Sequence, residues 1–112
     1  MKTIYNVKAY VYDEIGESEE ILYQRFFTNK DVTRNHFQRV KKKLLEVDVV
    51  AELVEETIPE YIKEGYNDEY IIDRPDFYSI SGYDDICYNV IIEELDLHDE
   101  DNNLPIMLQF NY

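Results

Sequence analysis

Apolar residues recur at every second position from Thr3 to Tyr12, then at every third or fourth from Phe37 to Tyr61. The first period belongs to a strand with two unlike faces, the second to a helix with one apolar stripe. A chain that carries both, β pattern first, folds as α+β. Its 112 residues fit a single small domain, 1–112. The 45% apolar content is enough for a core and excludes a wholly disordered chain.

On the first strand, Tyr5, Val7, Ala9 and Val11 share one face, and Asn6, Lys8, Tyr10 and Tyr12 the other. A polar stretch with Gly16 follows, then a second strand over 21–27, predicting an N-terminal antiparallel β-hairpin. On that second strand the alternation sets Ile21, Tyr23 and Phe27 against Leu22 and Phe26. Thr28 or Asn29 caps a helix, with Asp31 in its positive first turn.

The helical stripe runs through Phe37, Val40, Leu44, Val47, Ala51, Val54, Ile58 and Tyr61. One continuous helix would begin basic (Arg39, Lys41, Lys42, Lys43) and end acidic, against its own dipole. A break near Glu46, with a second helix opening at Asp48, removes the conflict. The β-branched valines of 47–56 leave a strand as the alternative there. Thr57-Ile58-Pro59-Glu60 has the form of a capping box opening a short helix that Gly65 stops. Residues 66–85 read as irregular, with a short strand at 77–81. The segment 83–97 is balanced between helix, capped by Asp84 and Asp85, and strand through Val90-Ile91-Ile92; helix is the expectation. A C-terminal strand at 104–112, alternating through Leu104, Ile106, Leu108, Phe110 and Tyr112, is expected to complete the sheet.

Charge divides the chain in two. Residues 1–43 carry nine basic and six acidic side chains, a net of +3; residues 44–112 carry two and nineteen, a net of −17. That imbalance concerns partners and solubility rather than fold. It disfavours direct binding of nucleic acid despite the cluster Arg34, Arg39 and Lys41 to Lys43. No apolar run reaches the roughly 18 residues of a membrane span, and the N-terminus has no signal-peptide core. The single Cys87 cannot close an internal disulfide, which fits a reducing, cytoplasmic setting.

Motifs for chemistry are sparse. Asp99, Asp101 and Asn103 copy the first positions of a calcium loop, but Leu104 and Phe110 stand where its glycine and final glutamate belong. His98 has no second histidine or cysteine at ligand spacing. Cys87 with His36 or His98 is the sole nucleophile pairing, and Gly16, Gly65 and Gly82 are too isolated to cradle phosphate. The expectation is no catalytic residue, no metal and no cofactor.

The acidic half has its own pattern. Asp48, Glu52, Glu55 and Glu56 fall one helical turn apart, like charges that destabilise a helix by roughly 0.2–0.5 kcal/mol per pair. The pitch of about 5–6 Å is close to the phosphate spacing of a nucleic-acid strand. Acids then alternate with aromatics at Asp68, Glu69, Tyr70, Asp73, Asp76, Tyr78, Asp84 and Asp85, in a chain with eleven tyrosines and no tryptophan. Tyrosine suits protein interfaces.

In size, acidity and tyrosine content the chain resembles the small phage proteins that mimic DNA and block host restriction or CRISPR nucleases. That resemblance implies a stoichiometric inhibitor whose carboxylates occupy a basic nucleic-acid channel, with Tyr70 and Tyr78 as aromatic anchors. The alternatives are a structural or adaptor protein that self-associates through its basic helix and acidic half, and a small metal-dependent enzyme.

Overall fold

The computed structural model describes residues 2–65, 70–82 and 85–97. Five strands, β1 (Lys2–Asp13), β2 (Ser18–Phe27), β3 (Ile71–Arg74), β4 (Phe77–Ser81) and β5 (Ile86–Leu97), form one antiparallel sheet in the order β2-β1-β5-β4-β3. Helices α1 (Lys30–Leu45), α2 (Asp48–Glu52) and α3 (Ile58–Lys63) come between β2 and β3 in the chain. The architecture is α+β, with the expected hairpin at its start. The C-terminal strand expected at 104–112 lies outside the described residues, as do His98 and the calcium-like run 99–103.

Local chemistry closes the hairpin. The Asp13 carboxylate accepts hydrogen bonds from the backbone N–H groups of Ile15 and Gly16 at 3.0 and 3.1 Å. A side chain at Gly16 would bring its Cβ to 3.0 Å from that carboxylate, so the turn is tight against the residue that organises it.

Asn29 caps α1. Its backbone is extended, and its side-chain oxygen accepts from the Val32 N–H at 3.0 Å. Asp31 occupies the first turn and Lys42 and Lys43 the last, each at the helix end its charge favours. The break predicted from charge is present. Val47 returns to an extended conformation, and α2 opens at Asp48.

Two details differ from the sequence reading. The break re-phases the stripe, so that Val50 and Leu53 are buried while Val47 is exposed and Ala51 and Val54 are half-buried. The capping box at Thr57 does not form: Thr57 is itself helical and its side chain caps nothing. Between α2 and α3 the chain stays helical through a widened π turn at Leu53–Thr57, where the Ile58 N–H bonds to the Leu53 carbonyl five residues back. Pro59 follows directly. Its ring would collide with the Glu55 carbonyl in a straight α-helix, and the widened turn gives that carbonyl room. The turn also brings Leu53 and Ile58, five apart, into the same core.

The core is one layer between the helices and one face of the sheet. Val7, Ala9, Phe27, Tyr78, Ile80 and Val90 meet Phe37, Leu44, Val50, Leu53 and Ile58. The segment expected as a helix at 83–97 is instead β5, paired along its length with β1 (Ala9 opposite Val90, Val7 opposite Ile92) and with β4 (Tyr78 opposite Val90). Its place between two strands is what makes it a strand. Strand β3 was not expected, and β4 lies where the sequence puts it.

The register of β1 against β2 shifts at Ala9/Tyr10, so Leu22 is an extra residue on β2. Leu22 and Tyr23 consequently both line the helix side, beside Ala9 and Val40. Ile21, opposite Tyr10, points to the other face. This reverses the facing expected for Ile21 and Leu22.

Candidate partner-binding surface

Asp48, Glu52, Glu55 and Glu56 are all exposed on the helical segment that follows the break. Glu60 and Glu64 continue the acidic run, and Lys63 is the one basic residue between Asp48 and Gly65. Among the described residues none of the four is bound by a basic side chain. Asp48 and Glu52 are one α-helical turn apart, but the step from Glu52 to Glu56 crosses the π turn. A wider turn rotates each residue less, so the row bends rather than forming the straight ladder implied by α-helical spacing.

The remaining expected residues fall elsewhere. Asp73 on β3 accepts a hydrogen bond from the Lys41 ammonium of α1 at 2.7 Å, which also lies 4.9 Å above the Tyr78 ring. Asp76 is exposed in the β3–β4 turn. It lines a cavity of about 270 Å³ together with Lys30, Arg34 and Glu94, and its carbonyl accepts from the Ile92 N–H. Asp85 has a left-handed backbone (φ 59) and its carbonyl accepts from the Glu14 N–H beside the β1–β2 hairpin loop. Asp68, Glu69 and Asp84 lie outside the described residues. Tyr70 and Tyr78 are core residues, 9% and 4% exposed, so neither presents a ring to a partner. Burial first, and Asp73 second, push the Tyr78 hydroxyl above its ordinary range. The acidic residues thus form one continuous set on α2 and the π turn, with Asp73, Asp76 and Asp85 dispersed.

Two further surfaces carry no motif in the sequence. On the sheet face away from the helices, Lys8, Tyr10, Tyr12, Glu19, Cys87, Asn89, Ile91 and Glu93 line an open groove of about 410 Å³. Lys8 is salt-bridged to Glu19, and that hydrogen bond is the main reason its pKa is raised. Buried Asn6 donates to Gln24 and Glu93 on the same face. The Cys87 thiol lies 3.4 Å from a Glu14 carboxylate oxygen. His36 is on the opposite side of the sheet, so the Cys87–His36 pairing does not assemble. Among the described residues no cluster of three or more His, Cys, Asp or Glu could hold a metal ion, and no helix is long and apolar enough to cross a membrane.

On the helix side, Ala9, Leu22, Tyr23, His36, Val40, Leu44 and Val47 form an apolar groove of about 350 Å³, bordered by Arg39 and Lys43. The Tyr23 hydroxyl sits 2.6 Å from His36 Nε2, and the His36 ring packs against Phe27 at 4.9 Å. Burial, aided by Arg25 and Arg39, lowers the His36 pKa below 6.5. The bulge at Leu22 creates this groove, and strict alternation conceals it.

Comparison with known proteins finds no matching family model, no matching curated protein and no matching solved structure.

Proposed function

We propose that this protein is a non-catalytic binding protein that inhibits a basic, nucleic-acid-handling partner, such as a nuclease, by presenting carboxylates in place of DNA phosphates. The observation that carries this reading is the set Asp48, Glu52, Glu55 and Glu56: four exposed carboxylates on one helical segment, none bound by a basic side chain among the described residues. Like charges so arranged weaken the helix, and they are fully available to a cationic channel. A cytoplasmic, phage-borne anti-defence role is the setting in which such an inhibitor acts. Lys41 supports this reading over self-association through the basic helix and acidic half, because it already pairs with Asp73 of its own chain.

The test is displacement. The protein is titrated into DNA-cleaving nucleases holding a labelled DNA oligonucleotide, and release of the DNA is followed at increasing salt. The expected result is stoichiometric displacement that weakens steeply as salt rises. Reversing Glu52, Glu55 and Glu56 to lysine abolishes it while the circular dichroism spectrum is unchanged. Undiminished displacement by that variant overturns the assignment of the contact.

A further inference from the structure

Between the start of α1 and the β3–β4 turn, the helix side of the sheet holds the cavity of about 270 Å³. Its floor is Tyr5 of β1 with Ile92 and Glu94 of β5, Tyr5 and Glu94 lying opposite one another in register. Lys30 and Arg34, one helical turn apart on α1, form one wall, and Asp76 with Pro75 forms another. Both walls are fixed by hydrogen bonds that leave the charged groups unused. The Thr33 hydroxyl donates to the Asn29 carbonyl at 2.6 Å, and the Ile92 N–H donates to the Asp76 carbonyl at 2.9 Å. The cleft is thus pre-formed, which lowers the cost of binding.

Two cations and two anions border this one space, yet they do not neutralise one another. Among the described residues, no nitrogen of the Lys30 or Arg34 side chain comes within 4.0 Å of a carboxylate oxygen, whereas Lys8, Lys41 and Lys43 are each paired. Lys30 also opens α1, where the helix dipole disfavours a cation. A ligand carboxylate on that wall would satisfy both basic side chains and the dipole together, with Arg34 able to hold it at two points. An ammonium group on the same ligand would be received by Asp76 and Glu94. A simple anion meets those two carboxylates and the field of a chain at −14, and a simple cation meets Lys30 and Arg34. A zwitterion has no net charge to be repelled. At about 30 Å³ per water-sized group the cavity takes about nine non-hydrogen atoms, and Ile92, Pro75 and the Tyr5 ring give a few of them an apolar surface.

We infer that this cleft binds a free α-amino acid as its zwitterion, one with a short aliphatic side chain. The carboxylate lies on Lys30 and Arg34, the ammonium on Asp76 and Glu94, and the side chain on Ile92 and Pro75. None of Asp48, Glu52, Glu55 and Glu56 borders the cleft, so this site and the inhibitory contact stand or fall separately.

Amide NMR of the isotope-labelled full chain, titrated with L-valine into the millimolar range, tests this. The expected result is saturable shifts at Lys30, Arg34, Asp76 and Glu94. Isovalerate, which is valine without its ammonium, and isobutylamine, which is valine without its carboxylate, each bind about tenfold more weakly, since each forfeits a charge-assisted contact. Glycine, which lacks the side chain, is weakened to a similar degree. Arg34→Gln and Asp76→Asn, both at exposed positions, keep the wild-type unfolding midpoint and each lower valine affinity by about tenfold. Asp76→Asn does not weaken isovalerate, and Arg34→Gln does not weaken isobutylamine. Absence of a saturable shift at these residues overturns the proposal. Isovalerate, isobutylamine or glycine binding as tightly as valine overturns it equally, as does a valine affinity indifferent to both variants.

Discussion

The Lys41 ammonium reaches from α1 to the Asp73 carboxylate on β3, 2.7 Å away, across the ring of Tyr78. This contact joins the basic part of the chain to its acidic part, and it ties the far edge of the sheet to the helix layer. Asp73 is largely exposed while Lys41 is mostly covered, so the pair keeps only part of its Coulomb energy. Asp73→Asn is expected to lower stability by about 0.5 kcal/mol, a difference that shrinks in high salt. Urea denaturation at low and high ionic strength measures it.

Asn29 is the one side-chain cap on α1, the helix that carries Phe37 and Leu44 into the core. Asn29→Ala leaves the Val32 N–H without its partner and is expected to cost about 1 kcal/mol, whereas Asn29→Ser retains most of it. Equilibrium unfolding of the two variants separates loss of the cap from loss of bulk.

His36 makes stability depend on pH. Burial and the neighbouring Arg25 and Arg39 hold its folded pKa below the ordinary 6.5, so the unfolded chain binds the proton more readily. The contribution is complete above pH 6.5 and is lost as pH falls through the folded pKa. Protonation makes His36 Nε2 a donor, so the Tyr23 hydroxyl 2.6 Å away then has to accept. His36→Gln should flatten the part of the stability profile below pH 6.5, and an NMR titration should find the His36 midpoint on the acid side of that value. A midpoint above it would show that the ring is not desolvated.

Phe37 and Ile62 bracket the helix layer energetically. Phe37 is fully buried and Ile62 is 65% exposed. Phe37→Ala is expected to cost about 3–5 kcal/mol through the cavity it leaves, and Ile62→Ala to stay within about 0.5 kcal/mol. Thermal unfolding followed by circular dichroism distinguishes them.

The acidic segment sets stability against binding. Replacing Glu52 and Glu56 by glutamine removes like-charge repulsion and is expected to raise stability by roughly 0.2–0.5 kcal/mol per relieved pair. The same variant is expected to bind a basic partner more weakly. Unfolding midpoint and DNA displacement, measured on one preparation, should move in opposite directions.

Much of the fold was legible in local pattern. The alternation through Val7 and Ala9, the cap at Asn29, the break ahead of Asp48 and the stop at Gly65 are all decided by residues a few positions apart. Reading β5 as a helix failed for a physical reason. Val90 packs under the helices, while Ile91 and Ile92 are both half-buried on opposite faces of a strand lying between two others. Val90, Ile91 and Ile92 place apolar side chains on both faces in succession, so period-two alternation disappears over this run and it suits a helix equally well. Of the candidate site, exposure of Asp48, Glu52, Glu55 and Glu56 followed from polarity. The core places of Tyr70 and Tyr78 did not, because an amphipathic ring beside carboxylates is as suited to a core as to an interface.

The sequence by itself determined the class of fold, the hairpin, the first helix with its ends, and the separation of charge along the chain. Periods, caps and dipoles act over one or two turns, and their causes lie within the segment itself. The tertiary structure alone decided that 86–97 is a central strand, that Leu22 turns to the helix side, and that Lys41 neutralises Asp73. Each of these depends on a partner tens of residues away or on one added residue in a strand, and neither leaves a trace in local period.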